Sequence, residues 1–516
     1  MTDERSLMIG VDIGTTSTKA VLFEVNGAIL SSANEGYPLH TPSADVAEQN
    51  PEDIFSAVVS CMRQIMEQSG AAPEQLRLVS FSSAMHSVIP MDGNGKPLMN
   101  CLTWADNRSV AWAKQLRNSP EGHDLYLRTG TPIHPMSPLC KLIWLRHELP
   151  EIFSQTSKFI SLKEYIWFKL FGQYLVDLSI ASCTGLLNLE QQAWDEGALH
   201  MAGITAGHLS EIVPTTHISQ GIDPSHAKKM GLLPSTPFVI GASDGVLSNL
   251  GVGAIGPGEV AVTIGTSGAI RTVVDHPRTD PKGRIFCYAL TDKHWVIGGP
   301  VNNGGSVLRW LRDEFASAEV ETAKRLGISA YDVLTKIAEN VPHGSEGLLF
   351  HPFLAGERAP LWNPDARGSF FGLTLHHHKE HMIRAVLEGV IFNLYTVLLA
   401  MEEIIGRPQA ILATGGFARS PLWRQLMADI FDQQVTVPEE IESSCLGAAV
   451  LGLYALGDID SLDVVASMVG STFKHLPAKE HAAIYKDLLP IFIRISRKLE
   501  EEYEAIAEFQ RRSSNR

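Results

Sequence analysis

The sequence predicts a two-lobed α/β protein in which one strand–turn–strand unit is used twice. Three observations predict it. The chain has 516 residues, more than one hydrophobic core ordinarily serves, so two domains of roughly 200–250 residues are expected. Strand-like and helix-like apolar patterns alternate along it, the mark of the α/β class. An apolar run entering Ile-Gly-Thr occurs at GVDIGTTSTKAV and returns about halfway along at VAVTIGTSGAI. With one copy opening each lobe, the expected division is residues 1–252 and 253–516.

LMIGVDI, TKAVLFEV and AILSSANEGY read as three strands. GTTS joins the first pair, and Asn26-Gly27 joins the second as a two-residue hairpin. Asn50-Pro51 then caps a helix over IFSAVVSCMRQIM. LRLVSFSS is the next strand, and its polar continuation SSAMHS belongs at an edge or cleft. Residues 101–230 are mostly helical in pattern, as in CKLIWLRHELPEIF and LKEYIWFKLFG. Strands resume with PFVIGASDG, VAVTIGTSGAI, IFCYAL and HWVIGG, and helices dominate the remainder. VIFNLYTVLLAM, the most apolar stretch, is too short to span a bilayer and reads as a core helix. RKLEEEYEAIAEFQRRSSNR reads as a solvated helix with a frayed tail.

Composition narrows the function. A chain 45% apolar and 19% charged is expected to fold rather than remain disordered. Its formal net charge of −15 disfavours nucleic acid as a partner, and any anionic substrate must be held by local donors against that field. No basic stretch followed by an apolar one opens the chain, so no signal peptide and no membrane association are expected. The six cysteines are scattered singly, which suits a reducing cytoplasm better than a disulfide framework. The oligomer is left open, a homodimer among the possibilities.

A Gly-Thr-Thr turn between strands can surround phosphate oxygens with backbone N–H groups and short hydroxyls. A plain hairpin turn is the alternative, but two copies, one preceded by Asp12, favour phosphate. Asp12 could also orient a phosphate-bound metal through water. Asp244, in GASDG, ends a strand, where Ser243 or Asp244 could equally cap a helix. GVGAIG fits a dinucleotide fingerprint only in letters, because it follows a helix and precedes a strand. His376, His377, His378 and His381 open an amphipathic helix without the ligand set of a zinc site. GxxxxGK[ST] does not occur, so this is not a P-loop enzyme.

DIGTTSTKAV, MSPLCKLIWL, GASDGVLSNLG, TIGTSG, GSFFGLTLHHHKEHMIRAVLEG and ATGGFARSPLWRQLMADI together resemble the FGGY carbohydrate kinases over about residues 7–455. The combination AEQNP, SFSSAMHS, TWADNRS and RTGTPIHPMSP is most similar to the gluconate-phosphorylating branch. The resemblance implies an actin-like, ribonuclease H-like fold with an ATP cleft between duplicated domains, whose two Ile-Gly-Thr turns close on one ATP. It implies ATP and Mg2+ as cofactors, with Asp12, Gly14, Thr15, Thr16, Ser17, Lys19 and Thr266 near the phosphates and Gly305, Gly415, Gly416 and Ser420 near adenosine. Asp244 would be the general base and, with Asp12, a metal ligand. Met85, His86, Trp104, Asp106, Arg108 and His134, with Met136 beside it, would face a small sugar acid. Arg108 and His86 are the candidates for its carboxylate. A pentulose kinase such as a xylulokinase, and an actin-like ATPase assembly module, are the rival expectations.

Overall fold

The computed structural model describes residues 6–43, 45–438, 442–470 and 472–514. They form two compact units. The first comprises Met1–Pro257, Val273–Ile297 and Glu440–Gly470; the second comprises Gly258–Thr272, Gly298–Glu439 and Ser471–Arg516. The units are thus interleaved along the chain, whereas the expected ranges, 1–252 and 253–516, are continuous.

The first unit is built on a six-stranded sheet. Its strands are β1 (Leu7–Ile13), β2 (Ser17–Glu24), β3 (Ile29–Gly36), β4 (Leu76–Ser83), β5 (Ile218–Ser219) and β6 (Phe238–Ser243), in the spatial order β5-β6-β4-β1-β2-β3. β1, β4 and β6 are mutually parallel, and β2 and β3 continue as an antiparallel ribbon. A parallel strand covered on both faces reads as a continuous apolar run, which is why LMIGVDI lacks alternation. Ile9, Val11 and Ile13 point into one core with Val58, Met62 and Ile65 of the Pro51–Ser69 helix. Met8 faces the other core, with Val246, Leu250, Ala448 and Leu451. The helix starts as expected: Asn50 accepts from the Glu52 N–H, and Pro51 occupies the first turn. The Asn26-Gly27 connection differs from the expectation. Glu24 N–H donates to the Ala28 carbonyl, and a register shift at Leu22/Phe23 makes the loop three residues long.

The Ser443–Leu456 helix packs unusually closely on this unit. A Cβ on Gly10 of β1 would lie 2.0 Å from the Cys445 carbonyl oxygen, and one on Gly251 would lie 1.8 Å from that of Ser443. Only glycine permits backbone to approach backbone this way.

The second unit carries β7 (Glu259–Ile264), β8 (Gly268–Val274), β9 (Ala410–Thr414), β10 (Val435–Pro438) and β11 (Thr472–His475), ordered β8-β7-β9-β10-β11. Its central helix, Lys379–Ile405, has 27 residues, long and apolar enough to cross a membrane, which corrects the length argument made from VIFNLYTVLLAM. It is nevertheless mostly buried in the unit, as a core helix is. The C-terminal helix Glu500–Ser514 is less solvated than expected: Tyr503 packs with Phe353 and Ala366.

Candidate active site

Three parallel strands of the first unit end together. Asp12 on β1 is level with Ser82 on β4, and Ser82 with Ala242 on β6. The chain therefore leaves β1 at Gly14, β4 at Ala84 and β6 at Asp244 from one edge of the sheet, the carboxyl edge where open α/β sheets bind ligands. Asp12 accepts a 2.7 Å bond from the Ser82 hydroxyl. Burial, and next the neighbouring Asp244 carboxylate, push Asp12 up to about 7; the Ser82 bond and Lys19 act in the opposite direction. The fold thus brings Asp12 and Asp244 together.

Asp244 opens the Asp244–Gly251 helix and accepts from the Gly245 N–H at 2.6 Å. Ser243 occupies the cap position without capping, because its hydroxyl is bonded to Ser179 at 3.2 Å. At the first turn, Gly14 N–H donates to Ser17 O at 3.0 Å and Thr16 O accepts from Tyr37 N–H. The Thr15 carbonyl accepts from Gln49. The Thr15 hydroxyl accepts from the Trp104 indole N–H at 2.8 Å, which leaves its own O–H to donate. Lys19 sits opposite Asp12 on β2, but its ammonium group is held by both Glu442 oxygens at 2.9–3.0 Å.

Of the substrate candidates, His86 is the most constrained. Its φ of 68° is rare for a non-glycine residue, and its Nδ1 bonds the Cys183 carbonyl at 2.8 Å. Met85 is half-buried against the core that holds Cys183 and Val246. Asp106 is buried, accepting from the Ala47 N–H and gripping Arg108. Arg108 bonds Asp106 at 2.8 Å and Glu48 at 2.5 Å, and its guanidinium lies 4.6 Å over the Trp144 ring. Its charge is therefore shared between two protein carboxylates. His134 is buried, its Nδ1 accepting from the Met136 N–H, and Met136 has no exposed surface.

A hub that sequence reasoning missed joins these pieces. Asp177 caps the short buried helix Leu178–Ser182 and is paired at 2.6 Å with buried Lys163. From this helix and the residues after it, the Ser182 carbonyl accepts from the Thr131 hydroxyl at 2.9 Å. The Cys183 carbonyl bonds His86, and the Thr184 carbonyl accepts from the Leu139 N–H at 3.0 Å. The Ser179 hydroxyl accepts from the Ser243 N–H, next to Asp244. The signal was the small-residue run DLSIASCTG behind a capping Asp.

In the second unit, Thr266 lies on the turn between β7 and β8. This turn is one residue shorter than the first: Ile264 pairs with Gly268, whereas Ile13 pairs with Thr18. Gly305 N–H donates to Gly265 O at 2.7 Å and Ser306 N–H to Thr266 O at 3.0 Å, seating the Gly305–Phe315 helix start on the turn. A Cβ on Gly304 would fall 2.6 Å from Ser267 O, and one on Gly305 2.8 Å from Gly265 O. Gly305 thus lets helix meet turn. Gly415, at φ 104°, passes over the Ile264 carbonyl, while Gly416 faces open space. Ser420 caps the Pro421–Phe431 helix, accepting from the Trp423 N–H at 3.2 Å.

Comparison with known proteins agrees with this geometry. Residues 7–251 match the N-terminal domain of the FGGY family of carbohydrate kinases, and residues 260–456 match its C-terminal domain. The chain is 63% identical to gluconokinase of Bacillus subtilis (strain 168), over 98% of each protein. Two solved structures from Lactobacillus acidophilus, one titled gluconate kinase and one ligand-bound xylulose kinase, are each 38% identical. Each aligns with a TM-score of 0.91, over 97% of this chain and 99% of its own. Two domain matches that together span most of the chain, carried on an α/β fold with a glycine-threonine turn in each unit, place it in the FGGY family of carbohydrate kinases.

Proposed function

We propose that this enzyme transfers the γ-phosphoryl group of ATP to D-gluconate, giving 6-phospho-D-gluconate and ADP. The observation that carries gluconate, rather than another sugar, is the 63% identity to a gluconokinase over nearly the whole chain. The 38% identical structures bear both names and so do not decide between gluconate and xylulose.

The residues support the chemistry as follows. Asp244, partly open at the strand edge, takes the proton of the terminal hydroxyl as that oxygen forms its bond to the γ-phosphorus. The bond from phosphorus to the bridging oxygen of ADP breaks, and Asp244 later returns its proton to solvent. Phosphoryl transfer asks for little else beyond positioning and charge stabilisation. Thr15, its hydroxyl aligned by Trp104, offers a donor to a phosphate oxygen. The bonded pair Arg108–Asp106 acts in this reading as the frame of the substrate loop, not as the partner of the sugar-acid carboxylate.

Asp12 and Asp244 would hold Mg2+. Two hard-oxygen carboxylates stand close enough that one raises the proton affinity of the other, the electrostatic environment a divalent cation relieves. Bound there, the ion would neutralise charge on the transferring phosphate. ADP release measured across a panel of aldonates, polyols and ketoses tests the proposal. The highest kcat/KM is expected for D-gluconate, and a preference for D-xylulose would overturn the substrate while leaving the kinase.

A further inference from the structure

The Pro138–Glu148 helix is apolar on its buried side, with Leu139, Leu142 and Leu145, yet it also buries the ammonium group of Lys141, whose side chain has no exposed surface. Lys141 Nζ donates to the Pro135 carbonyl at 3.1 Å and to the Met136 carbonyl. The Pro135 carbonyl also accepts from the Ser109 hydroxyl at 3.1 Å. That single oxygen ties the end of the TWADNRS segment to the loop carrying His134. At the loop's two ends, Thr131 and Leu139 are bonded to the carbonyls of Ser182 and Thr184. A buried cation is costly, and no carboxylate is paired directly with this one among the described residues; the nearby Asp106 is already gripped by Arg108.

We propose that Lys141 is a positioning residue for the sugar acid: its ammonium group, bonded to the carbonyls of Pro135 and Met136, holds the His134 loop in the shape that the substrate binds. This rests on the reading that the loop borders the sugar-acid site. The charged groups facing Lys141 are Asp106, which favours the cation, and Arg108, which opposes it. The thiols Cys101 and Cys140 adjoin it, and His134 lies on the loop it holds. Burial pushes Lys141 down to about 8 and pushes Cys101 and Cys140 up to about 12 and about 11. Of Lys141 and the two thiols, Lys141 is therefore the first to change charge as pH rises above neutrality. The cation is present below about 8 and is lost above it; with it go the charge-assisted bonds to the loop.

The test is a series from about pH 6.5 to about pH 9.5 on the full-length enzyme and on Lys141→Met, with KM for D-gluconate, KM for ATP and kcat measured separately. In the unmodified enzyme, KM for gluconate is expected to rise about threefold or more between about pH 7 and about pH 9, with kcat and KM for ATP nearly level. In Lys141→Met it is expected to be raised already at neutral pH and to rise no further. Hydrogen exchange of residues 130–137, corrected for intrinsic rates, is expected to quicken over the same interval in the unmodified enzyme. A level gluconate KM together with level loop exchange would overturn the role of Lys141. A loop that loosens while the gluconate KM stays level would overturn the proposal through its other premise, by placing the loop away from the sugar acid. A variant that keeps the full alkaline rise would also overturn it.

Discussion

Asp244 and Arg108 show how differently two charged side chains can be used in one unit. Asp244 is placed at a strand edge beside Asp12, where it accepts from the N–H of its own neighbour, Gly245. Asp244→Asn is expected to lower kcat by about two orders of magnitude or more, the scale of a lost general base, with a much smaller change in ATP affinity by calorimetry. Turnover near the unmodified rate would remove the base assignment. Arg108 is held by two carboxylates and an aromatic face. Removing it leaves buried Asp106 without its partner, a loss that falls on the loop whatever the substrate. Arg108→Leu is therefore expected to raise KM for gluconate and for a neutral polyol of equal length by similar factors. A selective loss of gluconate would instead show that the guanidinium reaches the substrate carboxylate.

At the scale of elements, both glycine-threonine turns depend on what is pressed against them. Gly304→Ala would place a methyl group 2.6 Å from the Ser267 carbonyl, where the obstacle is backbone and cannot rotate away. The helix start must then lift from the turn, at an expected cost of about 1–3 kcal/mol. KM for ATP is expected to rise about tenfold with gluconate KM little changed, if the shift lies at the phosphates; unchanged nucleotide kinetics would show that the turn tolerates the displacement. The turns themselves were legible in the sequence because an apolar strand, a glycine and hydroxyl residues are local signals. So were β1 and the Asn50 cap. The partners of Arg108 and Lys19 were not, because Glu48 and Glu442 are brought in by folding. Nor was the Leu178–Ser182 hub, whose work is done by backbone carbonyls that carry no residue-type signature. The one-residue difference between the turns was hidden for a related reason: the strings match in letters, and only the pairing register shows where each strand resumes.

For the molecule as a whole, acid sensitivity has a definable source in the second unit. His343 stacks on His481 with ring centroids 3.4 Å apart and bonds Arg384, while His481 bonds buried Asp429. These contacts join the Lys479–Lys498 helix to the central helix Lys379–Ile405. Burial, then Arg384 and His481, push His343 down to about 4. The unfolded chain, with an ordinary histidine, binds the proton more readily, so stability is full above about 6.5 and is lost as pH falls toward about 4. Tm is expected to fall through that interval and to fall less in His343→Gln. Equal acid slopes would assign the effect elsewhere.

The close seat of the Ser443–Leu456 helix on Gly10 and Gly251 has a consequence in time. A nascent chain delivers β1 first and this helix only after the central helix of the second unit has been made. Domains ordinarily fold as they emerge, but here the face of the first sheet around Met8 and Leu78 waits for a cover that arrives late. During synthesis that apolar face is open to chaperones and to other nascent chains. A product that stops before residue 443 would lack the cover altogether, so premature termination should yield material for degradation and not a weakened kinase.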